Sequence, residues 1–245
     1  MRRQLSIIIP TLNEEKYLPK LLESIVQQNF NGDLEVIIVD GKSIDRTVEL
    51  AKNYAKQLEL TILSRQPDVG AQRNIGARRA MHDNLLFIDA DVILSKNLLN
   101  KLSQKIVDNK LFFGQVVHYS ADKLNVIDFI LLIGVHMLLF IAWLGRTPAL
   151  NGDFILTNKR TFEVAGGFAE GVAMSSDIYF GLQAYRKGAR YRFYPFLHLY
   201  VSARRAQKVG TLNLIKLWSR AFLYVRKYVP IYPGDGFDYP FDIYR

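Results

Sequence analysis

The sequence has 245 residues, 49% of them hydrophobic, with no cysteine and a formal net charge of +9. This length and hydrophobic content exclude general disorder and favour one α/β domain around a single core. The absence of cysteine excludes a disulfide framework, a thiolate nucleophile and a cysteine zinc site.

Strand and helix patterns alternate through the first 120 residues. The initial apolar run, Leu5–Ile9, follows basic residues and is closed by Pro10, so it is too short for a signal peptide and we expect no export. We predict strands at Leu5–Ile9, Leu34–Val39, Leu60–Leu63, Leu85–Ile88 and Phe112–Val117, and helices at Lys16–Gln28, Thr47–Gln57, Ala71–Met81 and Asn97–Asp108. This order predicts right-handed crossovers and an α/β fold with a mostly parallel sheet sandwiched between helices.

Beyond residue 120 the pattern changes to long apolar and amphipathic stretches. Leu124–Gly145 is apolar except for Asn125, Asp128 and His136, which suits a bilayer span, an interfacial helix or a core helix. Thr211–Lys227 is predicted to be an amphipathic helix with a basic and an apolar face: Lys216, Arg220 and Lys227 on the first, and Leu214, Leu217, Trp218, Ala221 and Val225 on the second. This pattern indicates either an interfacial membrane anchor or a helix packed on the domain.

Positive charge is concentrated in the second half. Eleven Lys or Arg residues and no Asp or Glu lie between Ala184 and Lys227. An anionic membrane surface, a phosphorylated substrate and nucleic acid all suit such a region. Interleaved aromatic residues from Tyr185 to Tyr200 favour nucleic acid, but a nucleic-acid-binding protein would leave unexplained the two acidic residues, Asp89 and Asp91, that follow the predicted strand Leu85–Ile88. We therefore expect no nucleic-acid partner.

Two carboxylates, Asp89 and Asp91, directly follow the predicted strand Leu85–Ile88. Open α/β sheets bind their ligands at the carboxyl ends of the strands. Carboxylates this close repel each other unless a cation lies beside them, and their hard oxygen atoms favour Mg²⁺ or Mn²⁺. A pair of solvated loop aspartates is the alternative.

The loops after the other strands carry groups that suit a nucleotide. Asp40 can accept from a base N–H or a ribose hydroxyl, Arg73 can approach a diphosphate, and Asn74 can bond backbone or sugar. The glycine-rich phosphate loops of dinucleotide-binding and P-loop proteins are both missing. This edge therefore suits a nucleotide whose diphosphate is held by metal and arginine.

Four linked segments resemble one family: I-I-I-P-T-L-N-E-E, V-I-I-V-D-G-K-S-I-D-R-T, G-A-Q-R-N-I-G-A-R-R-A and L-F-I-D-A-D. Their order, spacing and strand placement resemble the nucleotide-sugar half of a family 2 inverting glycosyltransferase with a GT-A fold. The resemblance implies a Rossmann-like nucleotide-sugar-binding half at 1–120 and an acceptor-binding half at 121–245 of one catalytic domain. It implies that Pro10, Thr11, Glu14 and Asp40 hold the nucleoside, that Arg73 contacts base or diphosphate, and that Asp89 and Asp91 serve ribose and metal.

The second half extends the resemblance through N-G-D-F, G-G-F-A-E and S-D-I-Y-F-G-L. Family members usually carry Glu-Asp where this chain has Ser176-Asp177, with the aspartate as general base. The resemblance therefore implies that Asp177 is the base, while Ser176 puts its supporting residues in question. Alternatively, Asp177 is the N-cap of a helix at Ile178–Lys187.

Three downstream residues complete the predicted site. The resemblance implies that His198 completes the metal shell; a packed core histidine is the alternative. Arg204 and Arg205 are expected to steady the leaving diphosphate, because an arginine pair supplies permanent positive charge. A solvated basic surface is the alternative for this pair.

The resemblance implies a metal-dependent inverting glycosyltransferase that uses Mn²⁺ or Mg²⁺. It would move a sugar from a nucleotide-diphosphate sugar to a hydroxyl of a glycan or lipid-linked acceptor. Transfer to a polyprenyl phosphate and a catalytically inactive nucleotide-sugar-binding module remain as alternatives. The basic, amphipathic second half predicts a cytoplasmic protein peripheral to the inner face of an anionic membrane. A span is disfavoured because Asp128 and His136 lie mid-segment, where ionisable groups are costly.

Overall fold

The computed structural model describes residues 3–106, 110–122, 150–225, 227 and 230–236, together with helical positions 130, 133, 134, 137, 140, 141 and 144. The described strands form one eight-stranded sheet in the order β3-β2-β1-β4-β7-β6-β8-β5. They are β1 Arg3–Thr11, β2 Gly32–Asp40, β3 Glu59–Ser64, β4 Asn84–Ile88, β5 Val92–Leu94, β6 Phe112–Ser120, β7 Phe154–Asn158 and β8 Arg190–Val201.

The first half of the sheet agrees with the sequence prediction. Strands β3, β2, β1 and β4 pair in parallel, and each of the five predicted strands lies within an observed one. The four predicted helices are also present, as α1 Leu18–Val26, α2 Thr47–Lys52, α3 Val69–Arg79 and α4 Leu98–Ser103. Helix α2 ends before its predicted boundary because the chain tightens into i→i−3 turns, such as Tyr54 N–H to Ala51 O at 3.1 Å.

The second half makes the sheet mixed. Strand β7 lies between β4 and β6, antiparallel to both, while β8 is parallel to β6 and antiparallel to β5. Neither β5 nor β7 was predicted. The later helices are α5 Lys159–Ala165, α6 Ser176–Arg186, α7 Arg204–Val209 and α8 Thr211–Val225. Because β7 and β8 belong to residues 121–245, the two halves predicted from the sequence share one sheet.

Helices cover both faces of the sheet, as predicted. Apolar side chains of α1, α2 and α4 pack in one core, and those of α3, α5 and α6 pack in the other. Alternate residues of β1 divide between these cores, with Ile7 and Ile9 in the first and Ile8 in the second. Helix α3 approaches Ile8 closely because Gly76 has no side chain: a Cβ there would lie 2.3 Å from Ile8 Cγ2.

Helix α8 confirms the predicted amphipathic helix but corrects the position of one residue. Leu214, Ala221 and Val225 are buried, and the last two pack with Ile231. An interfacial membrane anchor would have placed Leu214 in lipid, but the domain already covers its apolar surface and so removes the reason to enter lipid. Trp218, from the same predicted face, is 39% exposed.

The apolar stretch Leu124–Gly145 is described only at single positions. Its polar residues Asn125, Asp128 and His136 lie outside the described residues. Five described helical positions carry exposed apolar side chains: Ile130, Ile133, Met137, Ile141 and Leu144. Within the part of the chain that the structure describes, no helix combines the length and apolar character that crossing a bilayer requires.

Candidate active site

The carboxyl ends of β1 and β2 are joined through Asp40. Thr11 is its partner in the parallel register, and Thr11 Oγ1 donates to Asp40 Oδ1 over 3.0 Å. The backbone N–H of Ser43 donates to Oδ2 over 2.8 Å, and the Ser43 hydroxyl donates to Oδ1 over 2.6 Å. These three donors occupy three of roughly four acceptor sites of a carboxylate, which leaves one for a ligand. Pro10 precedes Thr11 in β1, opposite Val39.

Three carboxylates meet at the end of β4. Asp89 and Asp91 follow β4, and Asp153 precedes β7, its antiparallel partner. One carboxylate oxygen of each lies within 4.8 Å of the others, and we call these three residues the acidic cluster. The sequence predicted Asp89 and Asp91 but missed Asp153. The apolar run Phe154–Leu156, directly after Asp153, was the signal that could have placed this residue at a strand end.

Arg73 connects the acidic cluster to other parts of the site. Its Nη2 donates to Asp89 Oδ1 over 2.7 Å and to the carbonyl of Gly152 over 2.9 Å. The guanidinium carbon lies 5.3 Å from the centroid of the Phe168 ring. Arg73 is buried in α3, so its charge is held at a fixed position beside Asp89.

The predicted arginine pair lies at the acidic cluster. Arg205 Nη2 is 3.3 Å from Asp89 Oδ2, and Arg205 Nη1 is 3.7 Å from Asp153 Oδ1. Arg204 Nε is 3.0 Å from Asp91 Oδ2. Both residues begin α7, directly after β8, so the chain delivers two permanent positive charges to one place. The pair is therefore not a solvated basic surface.

Arg204 also binds Glu14. Its guanidinium donates to both carboxylate oxygens, over 2.8 and 2.6 Å, and lies 4.6 Å from the centroid of the Tyr17 ring. Burial raises the pKa of Glu14, although Arg204 opposes this effect. The loop after β1 and the start of α7 are thus joined across the site by one bidentate ion pair.

The acidities of the clustered carboxyl groups differ. Burial opposes ionisation of Asp89, but the charges of Arg73 and Arg205 outweigh it and hold the pKa below its usual value. Burial raises the pKa of Asp153 to about 7, and the nearby charges of Asp89 and Asp91 add to this while Arg205 only partly offsets it. Near neutral pH, Asp153 is therefore protonated in part, whereas Asp89 stays ionised.

The acidic cluster fits a divalent cation. Among the described residues, no donor forms a hydrogen bond with either oxygen of Asp91 or with Oδ1 of Asp153, although Arg204 Nε lies 3.0 Å from Asp91 Oδ2 and Arg205 Nη1 lies 3.7 Å from Asp153 Oδ1. Buried carboxylate oxygens without donors are costly unless a cation lies beside them. Carboxylate oxygens are also the ligands that Mg²⁺ and Mn²⁺ prefer. Asp89, Asp91 and Asp153 are thus the residues that fit such an ion.

Asp177 lies against Gly152 and Arg73. A Cβ at Gly152 would be 3.1 Å from both Asp177 Oδ2 and Arg73 Nη2, so the absence of a side chain lets carboxylate and guanidinium approach. Burial raises the pKa of Asp177, although the charge of Arg73 opposes this. Helix α6 begins at Ser176 with Ser175 as its N-cap. Asp177 therefore lies in the first turn and not at the N-cap position, although its carboxylate accepts hydrogen bonds from the backbone N–H groups of Ile178 and of Asp177 itself.

Two predicted site residues have contacts outside the acidic cluster. Asn74 Nδ2 donates to the Phe168 carbonyl and to Glu170, and its Oδ1 accepts from the Phe168 N–H. Of the two partners predicted for Asn74, backbone and sugar, the structure shows the backbone.

The His198 ring lies on β8, 5.1 Å from the Tyr119 ring, and the acidic cluster does not include it. Its role as a metal ligand rests on the resemblance alone.

Comparisons with known proteins agree with this geometry. The model of the glycosyl transferase family 2 matches residues 6–169. The chain is 34% identical over 98 residues to the poly(ribitol-phosphate) beta-N-acetylglucosaminyltransferase TarS of Staphylococcus aureus, covering 38% of this chain and 17% of that protein. It is 44% identical over 124 residues to a PGL/p-HBAD biosynthesis glycosyltransferase of Mycobacterium bovis, covering 48% of each. The chain therefore spans less than half the length of these relatives.

Solved structures share the fold. TarS 1–349 in complex with UDP-GlcNAc has a TM-score of 0.64 at 23% identity, covering 81% of this chain and 58% of that one. The mannosyltransferase PcManGT of Pyrobaculum calidifontis, solved with GDP-Man and Mn²⁺, has a TM-score of 0.68 at 20% identity, covering 97% and 68%. A mixed, curled sheet with flanking helices is the GT-A fold of these glycosyltransferases. Because the family model covers most of its residues, the chain belongs to glycosyl transferase family 2.

Proposed function

We propose that this protein is a metal-dependent inverting glycosyltransferase that moves a sugar from a nucleotide-diphosphate sugar to an acceptor hydroxyl of a glycan or glycolipid. One observation carries the proposal. The Asp177 carboxylate lies against Gly152 and Arg73, and Arg73 pairs with Asp89 of the acidic cluster. A single arginine thereby links a buried base to the carboxylates that fit a metal.

In this proposal Asp177 takes the proton of the acceptor hydroxyl, which attacks the anomeric carbon from the side opposite the diphosphate. Its raised pKa makes it a stronger base than a surface aspartate. The configuration at the anomeric carbon is inverted, because a single base assists a single displacement at that carbon. Arg73, Arg204 and Arg205 balance the charge of the departing diphosphate. Mn²⁺ or Mg²⁺ held by the acidic cluster would supply further positive charge for the leaving group.

The nucleoside would lie at the ends of β1 and β2. Asp40 retains an acceptor site for a base N–H or a ribose hydroxyl, and Thr11 fixes its orientation. Pro10 and Glu14 flank Thr11 in the same segment. The solved structures of similar fold hold UDP-GlcNAc and GDP-Man, so we propose UDP- and GDP-sugars as the first donors to examine.

Transfer to a polyprenyl phosphate is the second candidate. Ser176 occupies the position where the family usually has glutamate, and it is buried beside Asp177. An acceptor that is already ionised needs no strong base, so the missing carboxylate favours this acceptor. A neutral hydroxyl and a lipid phosphate therefore make different demands on the same site.

Product release across a panel of donors tests the proposed function. We expect at least one UDP-, GDP- or dTDP-sugar to release nucleotide diphosphate in the presence of Mn²⁺, and an acceptor to accelerate the release. Glycan and polyprenyl phosphate acceptors, supplied separately, distinguish the two candidates. If donors bind and none turns over with either acceptor, the protein is a nucleotide-sugar-binding module and the proposal is wrong.

We also propose that the protein lies at the cytoplasmic, inner face of an anionic membrane as a peripheral protein. Helix α8 exposes Leu212 and Leu223 on the side that carries Lys216 and Arg220, and it also exposes Trp218 at the side that otherwise packs on the domain. Described positions between 130 and 144 also carry exposed apolar side chains. Apolar side chains beside basic ones suit an interface of acidic head groups and acyl chains.

Vesicle flotation tests the membrane proposal. We expect wild-type protein to float with vesicles that contain anionic lipid and to be released by high salt. The double variant Lys216→Gln/Arg220→Gln should bind about thirtyfold more weakly, because each basic residue near the surface contributes about 1 kcal/mol. Trp218→Ser should also weaken binding, while Met81→Ser, at a 54% exposed site on another part of the chain, should not. Absence of flotation, or resistance to carbonate washing, would contradict peripheral attachment.

A further inference from the structure

A second concave site lies away from the acidic cluster, at the β8-β5 end of the sheet. This cavity has a volume of about 290 Å³, and Lys96, Lys101, Phe196, His198 and Tyr200 contribute to its lining. We call these five residues the basic aromatic pocket. The base, the arginines and the carboxylates of the proposed reaction all lie outside it, so the proposed function does not account for it.

A bulge in β8 exposes the most prominent of these side chains. The register between β6 and β8 shifts after Val116, so that Tyr194 pairs with Val116 and His198 pairs with Val117. The intervening segment contains Phe196, which is 92% exposed. Bulges turn side chains away from the regular strand direction and are common beside binding sites. The bulge therefore presents a large apolar ring to solvent where regular pairing would not.

The aromatic rings of the pocket continue across the sheet. The ring centroids of His198 and Tyr200 are 5.5 Å apart, with the rings close to perpendicular. Tyr119, the β6 partner of Tyr200, adds a third ring 5.1 Å from His198. Tyr119 and Tyr200 are both exposed. Flat, exposed rings of this kind offer faces on which the C–H groups of a sugar ring can stack.

The charge of the pocket is positive. Lys96 and Lys101 are exposed, and neither residues 92–106 nor residues 190–210 include an Asp or Glu. The strands and the helix that build the pocket therefore carry no acidic residue of their own that would balance the two lysines. Such a site attracts a ligand with negative charge and can bind it by charge-assisted hydrogen bonds.

Strand β5 connects the pocket to the acidic cluster. Leu94, which also lines the pocket, follows Asp91 by three residues. At about 3.3 Å per residue, the two positions are roughly 10 Å apart along the strand. A chain of linked sugar units that reacts at the acidic cluster is therefore long enough to reach the pocket.

We propose that the basic aromatic pocket binds an anionic carbohydrate, a sugar that carries a phosphate or carboxylate group, as a remote part of the acceptor. The aromatic rings contact the apolar face of the sugar, and Lys96 and Lys101 pair with its anionic group. Small-molecule sites combine apolar side chains with convergent polar groups, and this pocket sets Leu94, Phe196 and Leu197 beside lysine, serine, histidine and tyrosine side chains. The statement that this carbohydrate is part of the acceptor rests on the proposed function. The statement that the pocket binds an anionic carbohydrate does not.

Sugar binding by pocket variants tests this inference. Saturation-transfer NMR would compare glucose 6-phosphate with glucose, in the presence of UDP and Mn²⁺ that fill the nucleotide site. We expect glucose 6-phosphate to bind at least tenfold more tightly than glucose to the wild-type protein. Lys96→Gln/Lys101→Gln should remove this preference, and Phe196→Ala should weaken binding of both sugars. The exposed side chains Lys56 and Tyr185 provide matched controls as Lys56→Gln and Tyr185→Ala.

The outcomes separate the pocket from the proposed function. Unchanged UDP affinity in all variants, together with lost sugar binding, supports the pocket even if no transfer is observed. Failure of glucose 6-phosphate to bind, or equal binding by wild type and pocket variants, overturns it. A pocket that instead binds a thymidine oligonucleotide or anionic vesicles through the same residues, and no sugar, also overturns it. Loss of transfer with intact pocket binding counts against the proposed function alone.

Discussion

Replacing Asp177 with asparagine is expected to lower sugar transfer at least about a hundredfold, which is the usual contribution of a general base. Asparagine has nearly the same shape as aspartate but cannot take a proton from the acceptor hydroxyl. Arg73 keeps its ion pair with Asp89 in this variant, so the donor site stays intact. The affinity for the nucleotide diphosphate should therefore stay close to that of the wild-type protein.

The measurement is the initial rate of nucleotide diphosphate release with a hydroxyl acceptor, beside the nucleotide Kd from calorimetry. Asp83→Asn is the matched control, because Asp83 is exposed in the loop before β4. Full transfer to a neutral hydroxyl by Asp177→Asn would mean that Asp177 is not the base. Transfer that survives only with a lipid phosphate would favour the acceptor that is already ionised.

Replacing Asp91 with alanine is expected to abolish metal-dependent binding of a nucleotide diphosphate. Both Asp91 oxygens are buried and receive no hydrogen bond from the described residues; Oδ2 has an ion-pair partner in Arg204 Nε at 3.0 Å, whereas the favourable partner of Oδ1 is a metal cation. Loss of such a ligand should cost about 3 kcal/mol, or roughly a hundredfold in Kd. The Kd of the variant with Mn²⁺ should then equal its Kd with EDTA. Arg204 keeps its bidentate pair with Glu14, which preserves the local structure.

Calorimetry of UDP and GDP with Mn²⁺ and with EDTA checks this expectation, with Asp83→Ala as the control.

The pH dependence of Mn²⁺ binding provides a second criterion. The pKa of Asp153 is about 7 without metal, so below that pH a proton competes with the cation. Mn²⁺ affinity should therefore fall as the pH is lowered from 8 to 6, and Asp153→Asn should remove this dependence. If the wild-type protein bound the nucleotide equally well with Mn²⁺ and with EDTA, the claim that nucleotide binding depends on a metal would be contradicted.

The parallel half of the fold could be predicted because its signals are local. Short apolar strands and amphipathic helices alternate along the chain, and parallel strands end at one edge of the sheet. That rule placed Thr11 and Asp40 together, and Asp89 and Asp91 at the end of β4. The family resemblance then added expectations that periodicity alone cannot provide, such as the role of Asp177 as the general base.

The parts that escaped prediction depend on contacts between distant segments. Asp153 lies beside Asp89 only because β7 pairs antiparallel with β4. The residues around Asp153 do not indicate that β4 is the strand with which β7 pairs. Strand β5 has only three residues, too few for a periodic pattern. The burial of Leu214 shows the same limit: periodicity identifies the apolar face of a helix but not whether protein or lipid covers it.

The anomeric configuration of the first transfer product tests the single-displacement mechanism most directly. The reaction would use an α-linked nucleotide sugar, Mn²⁺ and the acceptor found with the donor panel, and proton NMR would follow the new anomeric signal from the earliest times. We expect a β-linked product, because one displacement assisted by Asp177 inverts the anomeric carbon. An α-linked product from the wild-type protein would contradict this mechanism, since retention requires a different reaction course.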